Sequence, residues 1–157
     1  MKFLVKFFLS AFLVFTVPLS VGAQDDVVVT KQYDDGGMYE GTFKNGLQHG
    51  LGTYRLPNGY EYTGEWVDGE IFGIGVAKFP NGSVYEGNFI KGKPEGSGKI
   101  IFADGGTYEG SWLDGKITGQ GVAVYANGSR FKGGFLEAMH HGQGVMTNPD
   151  GYVYDGD

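Results

Sequence analysis

The sequence predicts an all-β protein built as one elongated, single-layer antiparallel sheet of tandem hairpins. Three observations lead there. Glycine takes 30 of the 157 positions, and each glycine inside a helix costs about 1 kcal/mol against alanine. Aromatic residues alternate with glycine at a spacing of two, the period of a strand. Residues 39–153 also fall into five gapless rows of 23, and a fixed period of this size marks a repeat architecture.

The first element is MKFLVKFFLSAFLVFTVPLSVGA, with Lys2 and Lys6 ahead of an apolar run from Phe7 to Val17. That run falls short of the roughly 20 residues a membrane-spanning helix needs. Pro18 and small residues follow, with Val21 and Ala23 suitably placed before a cut. Residues 1–23 therefore read as a signal peptide cleaved near Ala23, which predicts a periplasmic or secreted protein. The segment holds two lysines and no acid, so the mature chain carries a net charge of −8 rather than −6. An acidic chain is poorly matched to nucleic acid or anionic lipid, because the long-range field has the wrong sign. With no cysteine, disulfides, thiol chemistry and cysteine zinc sites are excluded.

Residues 24–38 read as a leader and a degenerate half-repeat. Gln24–Asp26 is a loose acidic lead-in, and Val27–Tyr33 is a capping strand that pairs with the first full hairpin. Residues 39–157 hold five full rows and the start of a sixth. An aromatic opens each row at Tyr39, Tyr62, Tyr85, Tyr108, Phe131 and Tyr154. Glycine follows two residues on at Gly41, Gly64, Gly87, Gly110, Gly133 and Gly156, and a second aromatic follows at Phe43, Trp66, Phe89, Trp112 and Phe135. A G-x-G pair comes next, as at Gly50/Gly52 and Gly73/Gly75, and each row closes on a turn such as Pro57-Asn58-Gly59 or Asn127-Gly128. Signals such as Asn45-Gly46 and Asp68-Gly69 split each row into two strands. Each row is thus a β-hairpin.

The Y-E-G-x-W/F … G-x-G … P-[ND]-G pattern at this period resembles the membrane occupation and recognition nexus (MORN) repeat. The resemblance spans residues 39–157. It implies hairpins stacked into a twisted single-layer sheet, and binding or scaffolding rather than chemistry. Row five departs most: Phe131 replaces Tyr, Lys132 replaces Glu and Ala138 replaces the turn glycine, which predicts a distorted hairpin or a place where something else packs.

A single layer has no second layer to fill a core, so aromatics are expected to lie over neighbouring glycines. Gly41, Gly50 and Gly52 would then admit rings, and Gly46 and Gly59 would make turns. The same rings, if exposed, would form a stacking ladder for a linear polymer, so Tyr62, Trp66, Tyr85, Phe89, Tyr108 and Trp112 are the candidate ligand-facing aromatics. The glutamates Glu40, Glu86 and Glu109 fall on the opposite face and read as an evenly spaced acidic ridge.

Chemistry has little to stand on. No nucleophile–histidine–acid set recurs, and no catalytic, cofactor-binding or metal-binding residue is assigned. His140 and His141 are adjacent, so on a strand they face opposite sides. Gly96-Ser97-Gly98-Lys99 fails as a phosphate loop, since Lys93 stands where glycine is needed and Ile100 where Ser or Thr would hold magnesium. Asn81-Gly82-Ser83 and Asn127-Gly128-Ser129 match a glycosylation pattern but are explained by their turns. The expected function is a non-catalytic exported scaffold that binds a partner protein through its sheet face or edge. Carbohydrate or cell-envelope polymer binding and membrane-lipid association are the alternatives, the last opposed by the acidic charge. The closing Tyr154-Asp155-Gly156-Asp157 reads as the opening of a longer array or as an edge for self-association.

Overall fold

The computed structural model describes residues 27–157; the expected signal peptide lies outside the described residues. Twelve strands form one sheet in sequence order, each antiparallel to the next. They are β1 (Val29–Gln32), β2 (Met38–Lys44), β3 (Leu47–Arg55), β4 (Glu61–Val67), β5 (Glu70–Lys78) and β6 (Val84–Ile90). β7 (Lys93–Ile101), β8 (Thr107–Leu113), β9 (Lys116–Val124), β10 (Arg130–Leu136), β11 (Met139–Thr147) and β12 (Val153–Gly156) complete it. Rows of 23 correspond to β2–β3, β4–β5, β6–β7, β8–β9 and β10–β11, while β1 pairs with the first half of β2 from Val29↔Gly41 to Gln32↔Met38.

Two turn types alternate along the molecule. Within a row the turn has two residues, both at positive φ, as at Asn45 (53°) and Gly46 (81°). This is the mirror-image turn whose twist matches that of the flanking strands. Between rows, Gly59 N–H donates to the Leu56 carbonyl at 3.1 Å and Leu56 N–H donates to the Tyr60 carbonyl at 2.9 Å. The Asn58 side chain accepts from Tyr60 N–H at 2.9 Å, so asparagine holds its own turn closed. Asn81 and Asn127 do the same for Ser83 and Ser129, each at 2.9 Å.

Each row also carries a bulge. Gly41 opposes Gly52 but Phe43 opposes Gln48, so Thr42 faces three residues. The irregularity recurs in all five rows. It corrects one expectation: Gly50 does not admit a ring. It sits in the bulge at a φ of +74°, and a Cβ there would meet the Thr42 hydroxyl. Row five is likewise undistorted, because Leu136 still opposes Met139 and Gly133 still opposes Gly144. Ala138 simply adopts the left-handed conformation at φ 66°.

The core is a spine of rings along one face. Each row-opening tyrosine lies over two paired glycines, one on its own strand and one on the next. Tyr85 covers Gly87, where a Cβ would stand 2.5 Å from its hydroxyl, and Gly98, where a Cβ would stand 2.5 Å from ring carbon Cζ. The second aromatic of a row then wedges edge-on against its own tyrosine and the tyrosine of the preceding row. Trp66 lies 5.1 Å from Tyr39 and 5.6 Å from Tyr62; Trp112 lies 4.9 Å from Tyr85 and 5.7 Å from Tyr108. Phe89 and Phe135 repeat the pattern at 5.0–5.3 Å. Edge-to-face pairs of this kind add about 0.5–1.5 kcal/mol beyond burial. The wedge therefore couples each row to its neighbour.

Candidate functional site

The two faces of the sheet differ sharply in what they leave available. On the aromatic face, exposure is 0 % for Tyr62 and Tyr85, 1 % for Tyr108, 2 % for Phe89, 6 % for Trp66 and 7 % for Trp112. The expected ligand ladder is therefore internal: packing over glycine covers all six rings, leaving no open π face for a polymer. Their polar atoms are spent as well. The hydroxyls of Tyr39, Tyr62, Tyr85 and Tyr108 donate to the bulge carbonyls of Thr42, Glu65, Asn88 and Ser111, each at 3.1 Å. The indoles of Trp66 and Trp112 donate to the carbonyls of Gly52 and Gly98 in the preceding rows, at 3.3 and 3.2 Å. Burial disfavours the phenolate and pushes Tyr39 and Tyr85 up to about 12, with Tyr62 higher still.

Alternation along the strands places the other residues on the opposite face. There a groove of about 850 Å³ runs across β6 to β10, with Glu86, Lys99, Glu109 and Lys132 along it. Register explains the order. Glu86 opposes Lys99, Lys99 opposes Glu109, Glu109 opposes Val122, and Val122 opposes Lys132. The expected acidic ridge is thus a mixed-charge rung, because lysines from the intervening strands and from row five interrupt the glutamates. Asn88, Ser97, Ser111 and Gln120 line the same groove, and Leu51 (70 %) and Ile74 (61 %) stand exposed on this face.

The sequence reading missed this rung because its residues come from unrelated columns of the repeat. The signal was present: pairing the residue after each G-x-G with the residue after each row-opening aromatic, across the bulge, places Lys99 between two glutamates. Elsewhere the charges pair with each other. Glu61 accepts from Arg55 at 2.8 Å and Lys78 at 2.9 Å, and both cations hold its carboxyl below its ordinary range. Along the hairpin tips Lys93 meets Asp114 at 2.5 Å and Lys116 meets Glu137 at 2.6 Å, tying successive rows.

Two histidines, His49 and His140, pack within the repeat. His49 Nδ1 accepts from Asp68 N–H at 3.4 Å in the next row. His140 stacks on Phe131 with ring centroids 3.6 Å apart, and its Nε2 lies 2.6 Å from the Tyr125 hydroxyl. Desolvation lowers its pKa and so favours the neutral ring. No carboxylate or nucleophile joins the pair, and no group of three or more metal-ligating side chains occurs among the described residues.

Comparison with known proteins agrees with this architecture. No curated protein matches the chain in sequence. Among solved structures, the TCP domain of SAS-4 (dCPAP) of Drosophila melanogaster, in complex with a proline-rich motif of dSTIL, is similar in fold. The TM-score is 0.51 at 16 % identity, over 83 % of this chain and 71 % of that one. The TCP10 domain of Danio rerio CPAP, as its E1021V mutant, aligns over 85 % of this chain and 74 % of that one, at 18 % identity and a TM-score of 0.33. The pattern of the family described as MORN repeat matches residues 39–59, 62–84, 85–107, 108–130 and 131–151, the rows whose glycine floor and aromatic spine are described above. The chain belongs to the MORN repeat family.

Proposed function

We propose that the protein is a non-catalytic scaffold that binds an extended segment of a partner protein on the polar face of its sheet. One observation carries the reading. Along the spine from Tyr39 to Phe135 the aromatic face is consumed in packing and only its C-terminal end at Tyr154 stays partly open, whereas the opposite face offers an open groove of about 850 Å³ whose polar side chains point outward. The fold relative in Drosophila was solved in complex with a proline-rich motif, which is consistent with a sheet of this type receiving an extended peptide. The MORN repeat is a scaffold rather than a catalytic framework, and among the described residues no side-chain cluster supplies acid–base or nucleophilic chemistry. The lysine-bearing apolar leader supports a second part of the proposal: the scaffold works outside the cytoplasm, after removal of residues 1–23. The net charge of −8 that results favours protein over lipid as the partner.

Site-specific photo-crosslinking tests the face. A photoreactive residue at Asn88, in the groove, is expected to give one discrete protein adduct in the producing cell. The same residue at Asn127, in a turn, is expected to give none. Adducts of equal yield at both positions, or none at Asn88, would contradict the reading. The mass of the mature protein tests export, with Gln24 as the expected first residue.

A further inference from the structure

We propose that the groove across β6–β10 takes a polyproline II segment running at right angles to the strands, with basic residues at i and i+3 and an acidic residue at i+6. The inference rests on the polar face being the docking face, and it names the chemistry of the occupant.

The first argument is charge. Glu86, Lys99, Glu109 and Lys132 are all exposed. None of them takes part in an ion pair among the described residues, although Arg55, Glu61, Lys78, Lys93, Asp114, Lys116 and Glu137 do. The order across the groove is acid, base, acid, Val122, base. Two acids two strands apart, followed by a base two strands further on, call for a ligand that runs base, base, acid.

The second argument is spacing. Adjacent strands lie about 4.8 Å apart, so Glu86 to Glu109 spans about 9.6 Å, and Glu109 to Lys132 spans the same. A polyproline II helix has three residues per turn at a rise of about 3.1 Å, so one of its faces repeats every ~9.3 Å. The mismatch over two repeats is only about 0.6 Å. A β-strand presents one face about every 6.8 Å, and an α-helix on a seven-residue repeat about every 10.5 Å, so both drift out of phase with the rung.

The third argument is hydrogen bonding. A polyproline II backbone makes no internal hydrogen bonds, so its carbonyls need donors. Lys99 stands midway between the two glutamates, and its ammonium is placed to reach ligand carbonyls at i+1 and i+2. Gln120 flanks the path with an amide donor, and Asn88, which gives one amide hydrogen to the Ser97 carbonyl at 3.2 Å, keeps its second. Gly87, Gly98, Gly110 and Gly121 contribute only backbone to the groove floor, since a side chain at any of them would project to the tyrosine face.

Fluorescein-labelled nonapeptides read by anisotropy at low salt test the proposal. KPPKPPEPP and its reverse-order form EPPKPPKPP carry the matching order in the two chain directions. KPPEPPKPP has the same composition with the charges misplaced, and KPKPEPPPP has the same charges at the wrong spacing. At least one matched peptide is expected to bind roughly tenfold or more tightly than both controls. Lys132→Glu should lose that preference and favour KPPKPPKPP, a rescue that simple loss of folding cannot produce. Less than a tenfold separation, no binding by either matched peptide, or no change of preference in the variant would each overturn the proposal. Because crosslinking at Asn88 reads the docking face independently, adducts there with failing peptides would discard the polyproline reading and leave the face assignment standing.

Discussion

Gly87 shows how single residues set this fold. On propensity alone valine is the better strand former, yet a Cβ at this position would stand 2.5 Å from the Tyr85 hydroxyl, 2.6 Å from Gly98 Cα and 2.7 Å from the Ser97 carbonyl. Two of those neighbours are backbone and cannot rotate away. Gly87→Val is therefore expected to lift the Tyr85 ring and lower stability by about 2 kcal/mol, within the range of overpacked cores. Chemical denaturation would measure it, and an unchanged midpoint would show that the ring does not depend on a bare glycine beneath it. This pairing of tyrosine with glycine was legible in the sequence, because a spacing of two within a strand is read directly from the row. The job of Gly50 was not. Its φ of +74° belongs to a bulge that exists only once two strands are paired, and G-x-G alone does not say which glycine faces a ring.

At the scale of the hairpin, the repeat tolerates substitution where backbone geometry is fixed from outside. Ala138 occupies the second turn position at φ 66°, where rows one to four have glycine. Its N–H still donates to the Ile117 carbonyl at 3.0 Å, the bond Gly69, Gly92 and Gly115 make to Gln48, Ile71 and Pro94. The row is thus held by the previous row despite the strain of a left-handed alanine, roughly 1–2 kcal/mol. Ala138→Gly is expected to raise stability by about 1 kcal/mol without moving the register. A loss of stability would mean that the alanine methyl makes contacts that outweigh its strain. Sequence reasoning expected distortion here because it could see the missing glycine but not the inter-row hydrogen bond, which Ala138 makes just as the glycines do. The mixed-charge rung escaped for a related reason: Lys99 and Glu109 become neighbours only through a register set by turn and bulge together.

Over the whole molecule, the spine converts a row-by-row pattern into one continuous body whose stability is a sum of hairpins and their nearest-neighbour wedges. The same packing divides the surface, with the spine rings from Tyr39 to Phe135 and their polar atoms packed on one face and the charges of the rung offered on the other. A binding role on the polar face depends on that division. Trp66 and Trp112 are the only tryptophans in the chain, they sit in alternate rows, and they are 6 % and 7 % exposed. The most direct measurement is therefore tryptophan fluorescence of the native protein with acrylamide quenching. Blue-shifted emission, with quenching several-fold weaker than for the unfolded chain, is the predicted result. Emission and quenching like those of the unfolded chain would contradict it, because the rings would then be open to ligand and the division between the two faces would not hold.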